Sequence, residues 1–105
     1  MVKLRTNKEY ATCIQEKLLS KFNDIKVLGV YIDNLPNNNF VIEFQYNDDI
    51  ISFIKDRGYL GLDLKHNCQY VNFRDIDEKI NNLILSVDSI DYYVIFLEKY
   101  YMLRK

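Results

Sequence analysis

The chain has 105 residues, of which 49% are hydrophobic and 28% are charged, and its formal net charge is −1. This length predicts one domain over residues 1–105, and the composition excludes an intrinsically disordered chain. No apolar run approaches the roughly 20 residues of a membrane span, and the N-terminal residues lack the apolar core of a signal peptide. We therefore expect a cytoplasmic protein that binds no membrane.

Residues 6–23 predict the first helix. Thr6 and Glu9 have the spacing of a capping box, in which a side-chain oxygen accepts a hydrogen bond from a free N–H group of the first turn. Apolar side chains recur every four residues and form one stripe, which we expect to face the core. The stripe comprises Tyr10, Ile14, Leu18 and Phe22.

The middle of the chain predicts antiparallel strands joined by short turns. Residues 26–32 and 40–46 are rich in β-branched and aromatic side chains, which favour strands. Between them, residues 33–39, "DNLPNNN", contain the proline and asparagines typical of a loop. Residues 47–49 turn the chain into a further strand at residues 50–55.

The stretch "IKDRGYLGLDLK", residues 54–65, predicts a hairpin. Residues 56–58 fit a three-residue loop in which Gly58 adopts the left-handed conformation. Gly61 indicates a bulge or a close approach of another group. Alternation places two sets of apolar side chains on the helix-covered face of the sheet: Leu60, Leu62 and Leu64 from one strand, and Phe40, Ile42 and Phe44 from another.

The remainder of the chain predicts a short fifth strand at residues 70–73 and two helices. Residues 74–85 have a helical period, and acidic side chains occupy the first turn. Ser89 is placed to cap the last helix. The apolar face of the first of these two helices comprises Ile76, Ile80, Leu83 and Ile84.

The last helix is apolar around much of its circumference. One stripe comprises Tyr92, Phe96, Tyr100 and Leu103, and further apolar side chains occupy other directions: Val94, Ile95, Tyr101 and Met102. Such a helix is either buried on more than one side or presents a second apolar face to a partner. The chain as a whole predicts an α+β fold, in which one N-terminal and two C-terminal helices pack on one face of a four- to five-stranded antiparallel meander.

Residue types capable of catalysis are few and scattered. His66 and Cys68 supply two metal ligands, whereas zinc sites usually have three or four protein ligands. Cys13 lies on a predicted helix, and Cys68 is too near His66 in sequence to face it across a strand. We therefore expect no catalytic site, metal or cofactor, and two reduced, partly buried thiols, although a single disulfide and an enzyme that uses His66 stay open.

Charge is distributed unevenly along the chain. Residues 1–30 carry a net +3, residues 31–98 carry −7 and residues 99–105 carry +3. The acidic middle disfavours nucleic-acid binding and favours a basic protein partner, although aspartates also collect in turns and helix starts for local reasons. The candidate partner-binding residues, which we expect to be accessible, are Asp48, Asp49, Asp56, Asp63, Asp75 and Asp77.

Residues 40–105 resemble small bacterial immunity proteins of polymorphic toxin systems. The resemblance lies in the succession "FVIEF", "IKDRG", "YLGLDL", "YVNFRDI" and "FLEKYYMLRK". It implies a protein that binds and inhibits a cognate toxin, such as a basic nuclease, in the cell that produces both. It carries over no binding residue. The alternative is an accessory or adaptor protein of a phage or mobile element that binds another protein.

Overall fold

A computed structural model describes residues 6–32 and 39–103. The regular elements in chain order are α1 (Asn7–Lys21), β1 (Lys26–Ile32), β2 (Phe40–Tyr46), β3 (Asp49–Asp56), β4 (Tyr59–His66), β5 (Gln69–Val71), β6 (Leu83–Ile84) and α2 (Val87–Leu103). Strands β1 to β5 form an antiparallel meander in that order, and β6 also pairs with β4. The predicted α+β fold with an antiparallel meander is confirmed. The predicted loop at residues 33–39 lies, except for Asn39, outside the described residues.

The N-terminus of α1 is capped as the sequence predicts. Thr6 has an extended backbone, and its Oγ1 accepts a hydrogen bond from the backbone N–H of Glu9 at 3.1 Å. Ile14 and Leu18 are completely buried in the core. The helix ends at Lys21, because the next residue is again extended.

The two helices cover one face of the sheet, and the predicted strand faces are confirmed. Phe40, Ile42 and Phe44 on β2 and Leu60, Leu62 and Leu64 on β4 are all buried in the same core cluster as α1 and α2. Between these strands β3 contributes Ile51 and Phe53, which pair with Leu64 and Leu62. Because side chains alternate along a strand, the residues between these positions lie on the opposite face.

Three of the hairpins close through two-residue turns. Gly58 has φ +84°, as predicted, but Arg57 is also left-handed at +55°, and Asp56 pairs with Tyr59. The loop therefore contains two residues and not the predicted three, because a turn with two left-handed residues matches the right-handed twist of the strands. The turns at residues 47–48 and 67–68 have the same length.

The helix predicted for residues 74–85 does not form. A short 3₁₀ turn (Phe73–Asp75), further turns and β6 take its place. The Asp77 side chain accepts a hydrogen bond from the backbone two residues later, and Asn81 is left-handed with φ +72°. These short polar side chains stabilise turns in competition with helix, and only Ile80 of the predicted apolar face is fully buried.

The outer edge of β4 is covered along most of its length by three different groups. β6 pairs with Tyr59 and Leu60, and β5 pairs with residues 64–66. Between them, Asn81 Oδ1 accepts a hydrogen bond from the backbone N–H of Leu62 at 2.7 Å. The same oxygen would lie 3.0 Å from a Cβ atom at Gly61, which confirms the close approach that this glycine predicted.

The last helix begins three residues earlier than the predicted cap, Ser89, implies. Ser86 Oγ accepts a hydrogen bond from the backbone N–H of Ser89 at 3.0 Å, and Ser89 Oγ accepts one from the backbone N–H of Ser86 at 2.9 Å. Ser86 is therefore the cap, and Ser89 takes the place that glutamate occupies in a capping box.

The buried face of α2 is centred on Ile90, Tyr93 and Leu97, which are completely buried. The observed buried face is therefore rotated around the helix axis from the stripe predicted from Tyr92 to Leu103, and Leu103 is exposed. Neither helix among the described residues is long and apolar enough to cross a lipid bilayer.

Candidate functional site

The strands present a second face on the side opposite the helices, and we call it the open face. No described element packs on it. Its apolar members are Tyr31, Val41, Ile50, Ile54, Tyr59, Tyr70 and Ile84, and its polar members are Lys26, Glu43, Gln45, Ser52, Asp56, Asp63 and Lys65. A sheet face that only meets water is usually mainly polar, so the open face is the candidate surface for contact with another molecule.

Three tyrosines stand out on the open face. Tyr31, Tyr59 and Tyr70 are between 50% and 72% exposed, on β1, β4 and β5 respectively. The Lys65 Nζ atom lies 5.5 Å from the centre of the Tyr70 ring. Exposed tyrosines on rigid strands offer a large contact area at a low entropic cost, which is typical of protein interfaces.

The carboxylate of Asp63 lies at the middle of this face. Asp63 pairs in register with Ser52 on β3, which pairs with Glu43 on β2, so the three side chains form one row. Asp63 is half-buried, and this burial raises the pKa of its carboxyl group above the usual value. Among residues 6–32 and 39–103, no group donates a hydrogen bond to Asp63. Its charged form is therefore poorly solvated in the free protein.

Beside this row the open face has a shallow depression of about 430 Å³. Its lining comprises Ile54, Tyr59, Gly61 and Asn81, together with the charged residues Asp56 and Arg57 at the end of the hairpin. A depression between an aromatic ring and an aliphatic side chain is suited to one inserted side chain of a partner.

The six predicted partner-binding aspartates do not form one surface. Asp56 and Asp63 lie on the open face, and Asp48 is exposed in the turn between β2 and β3. Asp49 lies on the helix-covered face and is only 7% exposed, so the expectation that it is accessible is wrong. The reason is that the two-residue turn ends at Asp48, which makes Asp49 the first residue of β3. Asp49 therefore lies on the same face of the strand as Ile51, two residues later.

Asp75 and Asp77 do not begin a helix, contrary to expectation. Asp75 is exposed at the end of the 3₁₀ turn, whereas Asp77 accepts a hydrogen bond from the hydroxyl of Tyr92 on α2. This hydrogen bond is the main cause that lowers the pKa of Asp77 below its usual value. Asp77 is therefore engaged within the protein and is a weaker candidate for contact with a partner.

The sequence did not reveal the polar cluster around Asp49. One carboxylate oxygen lies 2.5 Å from His66 Nδ1, and the other accepts a hydrogen bond from the Tyr101 hydroxyl at 2.7 Å. Burial, followed by the hydrogen bond with Asp49, raises the pKa of Tyr101 far above its usual value. The cluster joins the β3–β4 hairpin to the end of α2. A prediction of the two-residue turn at residues 47–48 could have found this cluster, because such a turn pairs Asp49 with Tyr46 and so places Asp49 on the helix-covered face.

The pairing of Asp49 with His66 also resembles the way carboxylates orient imidazoles in catalytic triads. Here, however, the other ring nitrogen, Nε2, lies 3.2 Å from the side-chain amide nitrogen of Asn67. No hydroxyl or thiol of the described residues is hydrogen-bonded to it. No group of three or more potential metal ligands occurs in the described part of the chain.

Both cysteines are free thiols. Cys13 is partly buried on α1, and this burial is the main cause that raises the pKa of its thiol. Cys68 is exposed in the turn between β4 and β5, which corrects the expectation that it is partly buried.

Comparison of the chain with protein-family models, with curated proteins and with solved structures found no match.

Proposed function

We propose that this protein is an immunity protein that binds a basic toxin through the open face and neutralises it in the cytoplasm of the producing cell. The observation that carries the proposal is the position of Asp63 at the middle of an exposed, tyrosine-bearing sheet face. Its half-buried carboxylate has no hydrogen-bond donor among the described residues. The succession of sequence types in residues 40–105 supports the same function. Binding, and not catalysis, is the proposed activity.

Asp63 suits a cationic partner for an energetic reason. In the free protein its charge lacks a hydrogen-bond donor among the described residues and is partly removed from water. An arginine or lysine of the partner would supply the missing donor, and such charge-assisted hydrogen bonds are stronger than neutral ones. Glu43 on the same row and Asp56 on the same face add negative charge, which accelerates association with a basic partner.

The proposal requires a toxin gene next to the gene of this protein, and the direct test is growth of bacteria that produce that toxin. We expect the unmodified chain to restore growth. In a separate measurement of toxin affinity, we expect Tyr59→Ala and Asp63→Lys each to weaken binding at least about tenfold, which corresponds to about 1.4 kcal/mol. The control variants are Leu19→Ala and Glu16→Lys on α1, which alter exposed residues on the helical side of the molecule. Failure of the unmodified chain to bind or neutralise the toxin would refute the proposal.

The contribution of charge is measured separately by association kinetics at low and high salt. We expect Asp48→Lys to slow association and to flatten its salt dependence, because an exposed turn carboxylate attracts a basic toxin over a long range. Asp49 is unsuitable for this test, since its carboxylate holds His66 and Tyr101 and its reversal would destabilise the fold. An association rate that is insensitive to salt and to Asp48→Lys would exclude electrostatic steering.

A further inference from the structure

A bulge in β1 decides which of its side chains reach the open face. Val27 pairs with Phe44, whereas Gly29, two residues later, pairs with Glu43, so the register shifts by one residue at Leu28. Because directly paired residues share a face, Val27 lies on the helix-covered side and Gly29 lies on the open face. Bulges often occur beside functional sites, where they redirect a side chain.

Tyr31 lies on the same face and folds back along β1 over Gly29. A Cβ atom at Gly29 would lie 2.6 Å from the hydroxyl oxygen of Tyr31 and 2.8 Å from two carbons of its ring. The outer end of Tyr31 therefore occupies the space that the side chain of any other residue would need at position 29. The Tyr31 side chain is nevertheless 59% exposed and accessible to a partner.

The register brings the Tyr31 hydroxyl beside a carboxylate. Gly29 is paired directly with Glu43 on β2, and directly opposed Cβ positions of two antiparallel strands lie about 4.5–5.5 Å apart. The hydroxyl that fills the Cβ position of Gly29 is therefore next to the base of the Glu43 side chain. In the part of the chain that the structure describes, no group donates a hydrogen bond to the Glu43 carboxylate.

We propose that Gly29 is a positioning residue of the open face, which holds Tyr31 beside Glu43 so that the two side chains together receive one cationic side chain of the toxin. This inference rests on the proposed function and assigns a contact that is separate from Asp63. The cation donates hydrogen bonds to the carboxylate and packs against the exposed part of the aromatic ring.

The contribution of Gly29 passes through Tyr31. A ring that is already held in place loses little conformational freedom when the toxin binds. In Gly29→Ala the new methyl group meets only the outer end of this flexible side chain, so the ring moves away while the backbone keeps its place. We therefore expect the variant to lose affinity for the toxin and to stay folded.

Nuclear magnetic resonance of the free protein tests the position of the ring without a toxin. We expect nuclear Overhauser contacts between the Tyr31 ring protons and the Gly29 α protons in the unmodified chain, and their loss in Gly29→Ala. The melting temperature of Gly29→Ala should not fall, because Gly29 does not have a positive φ and alanine restricts the unfolded chain. The absence of these contacts in the unmodified chain would overturn the proposal.

Calorimetric titration with the toxin of the neighbouring gene tests the role of the ring in binding. We expect Tyr31→Ala and Glu43→Gln each to weaken binding at least about tenfold, and Gly29→Ala to weaken it at least about fivefold. In a chain that already carries Tyr31→Ala, the further change Gly29→Ala should alter affinity by less than about twofold. Val27→Ala, on the same strand but on the helix-covered side, is the control and should bind like the unmodified chain.

The outcomes separate this proposal from the proposed function. Full affinity of Gly29→Ala or of Glu43→Gln for a toxin that the unmodified chain binds would overturn the positioning role alone. An equal loss from Gly29→Ala with and without the Tyr31 ring would do the same, since Gly29 would then act independently of Tyr31. A toxin that does not bind the unmodified chain would refute both proposals.

Discussion

Asp63 is a residue whose position lowers the stability of the folded chain. Burial raises its carboxyl pKa, which means that the folded state binds this proton more tightly than the unfolded state does. The loss of folding stability caused by burying the charged carboxylate is complete at pH values above the raised pKa. It diminishes as the pH falls towards 3.8, the ordinary pKa of an aspartate, and is absent at lower pH. Residues that cost stability are common where a protein binds its partner.

Asp63→Asn should therefore stabilise the protein at pH 7. We expect a gain of at most about 0.5 kcal/mol, because the carboxylate is half exposed and water screens its charge. The gain should disappear at about pH 3, where Asp63 is itself neutral. Urea denaturation of both proteins at the two pH values measures this difference, with Glu16→Gln on α1 as the control. If Asp63→Asn is still the more stable protein at about pH 3, burial of the charged carboxylate is not the cause of the difference in stability.

Tyr101 illustrates the opposite case, a polar residue that the fold requires. Its hydroxyl donates to the buried Asp49 carboxylate, so Tyr101→Phe leaves one carboxylate oxygen without this donor. We expect a loss of about 1–3 kcal/mol in the free energy of unfolding. Tyr70→Phe removes an exposed hydroxyl from the open face and should change stability by less than about 0.5 kcal/mol. Equal effects of the two variants in thermal denaturation would show that the Asp49 cluster contributes nothing.

At the scale of elements, the β3–β4 hairpin depends on the backbone conformation of its two turn residues. A Cβ atom at Gly58 would meet nothing within 4 Å, so any effect of a substitution there comes from its φ of +84°. We expect Gly58→Val to destabilise the protein by at least about 1 kcal/mol. Arg57→Asn is the matched variant and should be neutral or slightly stabilising, because asparagine tolerates the left-handed region better than arginine. An unchanged melting temperature for Gly58→Val would refute the turn assignment.

At the scale of the whole molecule, one core cluster joins both helices to the sheet. Leu97 and Ile95 test this core from the same helix, since Leu97 is completely buried and Ile95 is 50% exposed. We expect Leu97→Ala to cost about 2–5 kcal/mol, and Ile95→Ala to cost less than about 1 kcal/mol. Chemical denaturation followed by circular dichroism measures both. Similar losses would indicate that α2 is also packed on its outer side, as in an assembly.

Local sequence patterns determined most of the fold. The cap at Thr6, the alternation in residues 40–46 and 60–64, and the left-handed Gly58 depend on interactions between neighbours in sequence, which a single chain displays. The same patterns placed Asp63 on the strand face opposite the leucines and Asp56 in a hairpin loop, both accessible, and therefore part of the candidate site was predictable. The structure corrects the place of Asp56, which is the last residue of β3. The tyrosines of the open face were visible as residue types but could not be assigned to one surface without the register.

Only the tertiary structure decided the conformation of residues 74–85 and the burial of Asp49. The helical period of residues 74–85 was real, but β4 had an edge to cover, and Asn81 and β6 satisfy its backbone groups better than a helix would. Asp49 turned inward because a one-residue difference in turn length exchanges the two faces of a strand. Both outcomes depend on contacts between residues distant in sequence, and the periodicity of a single segment does not contain them.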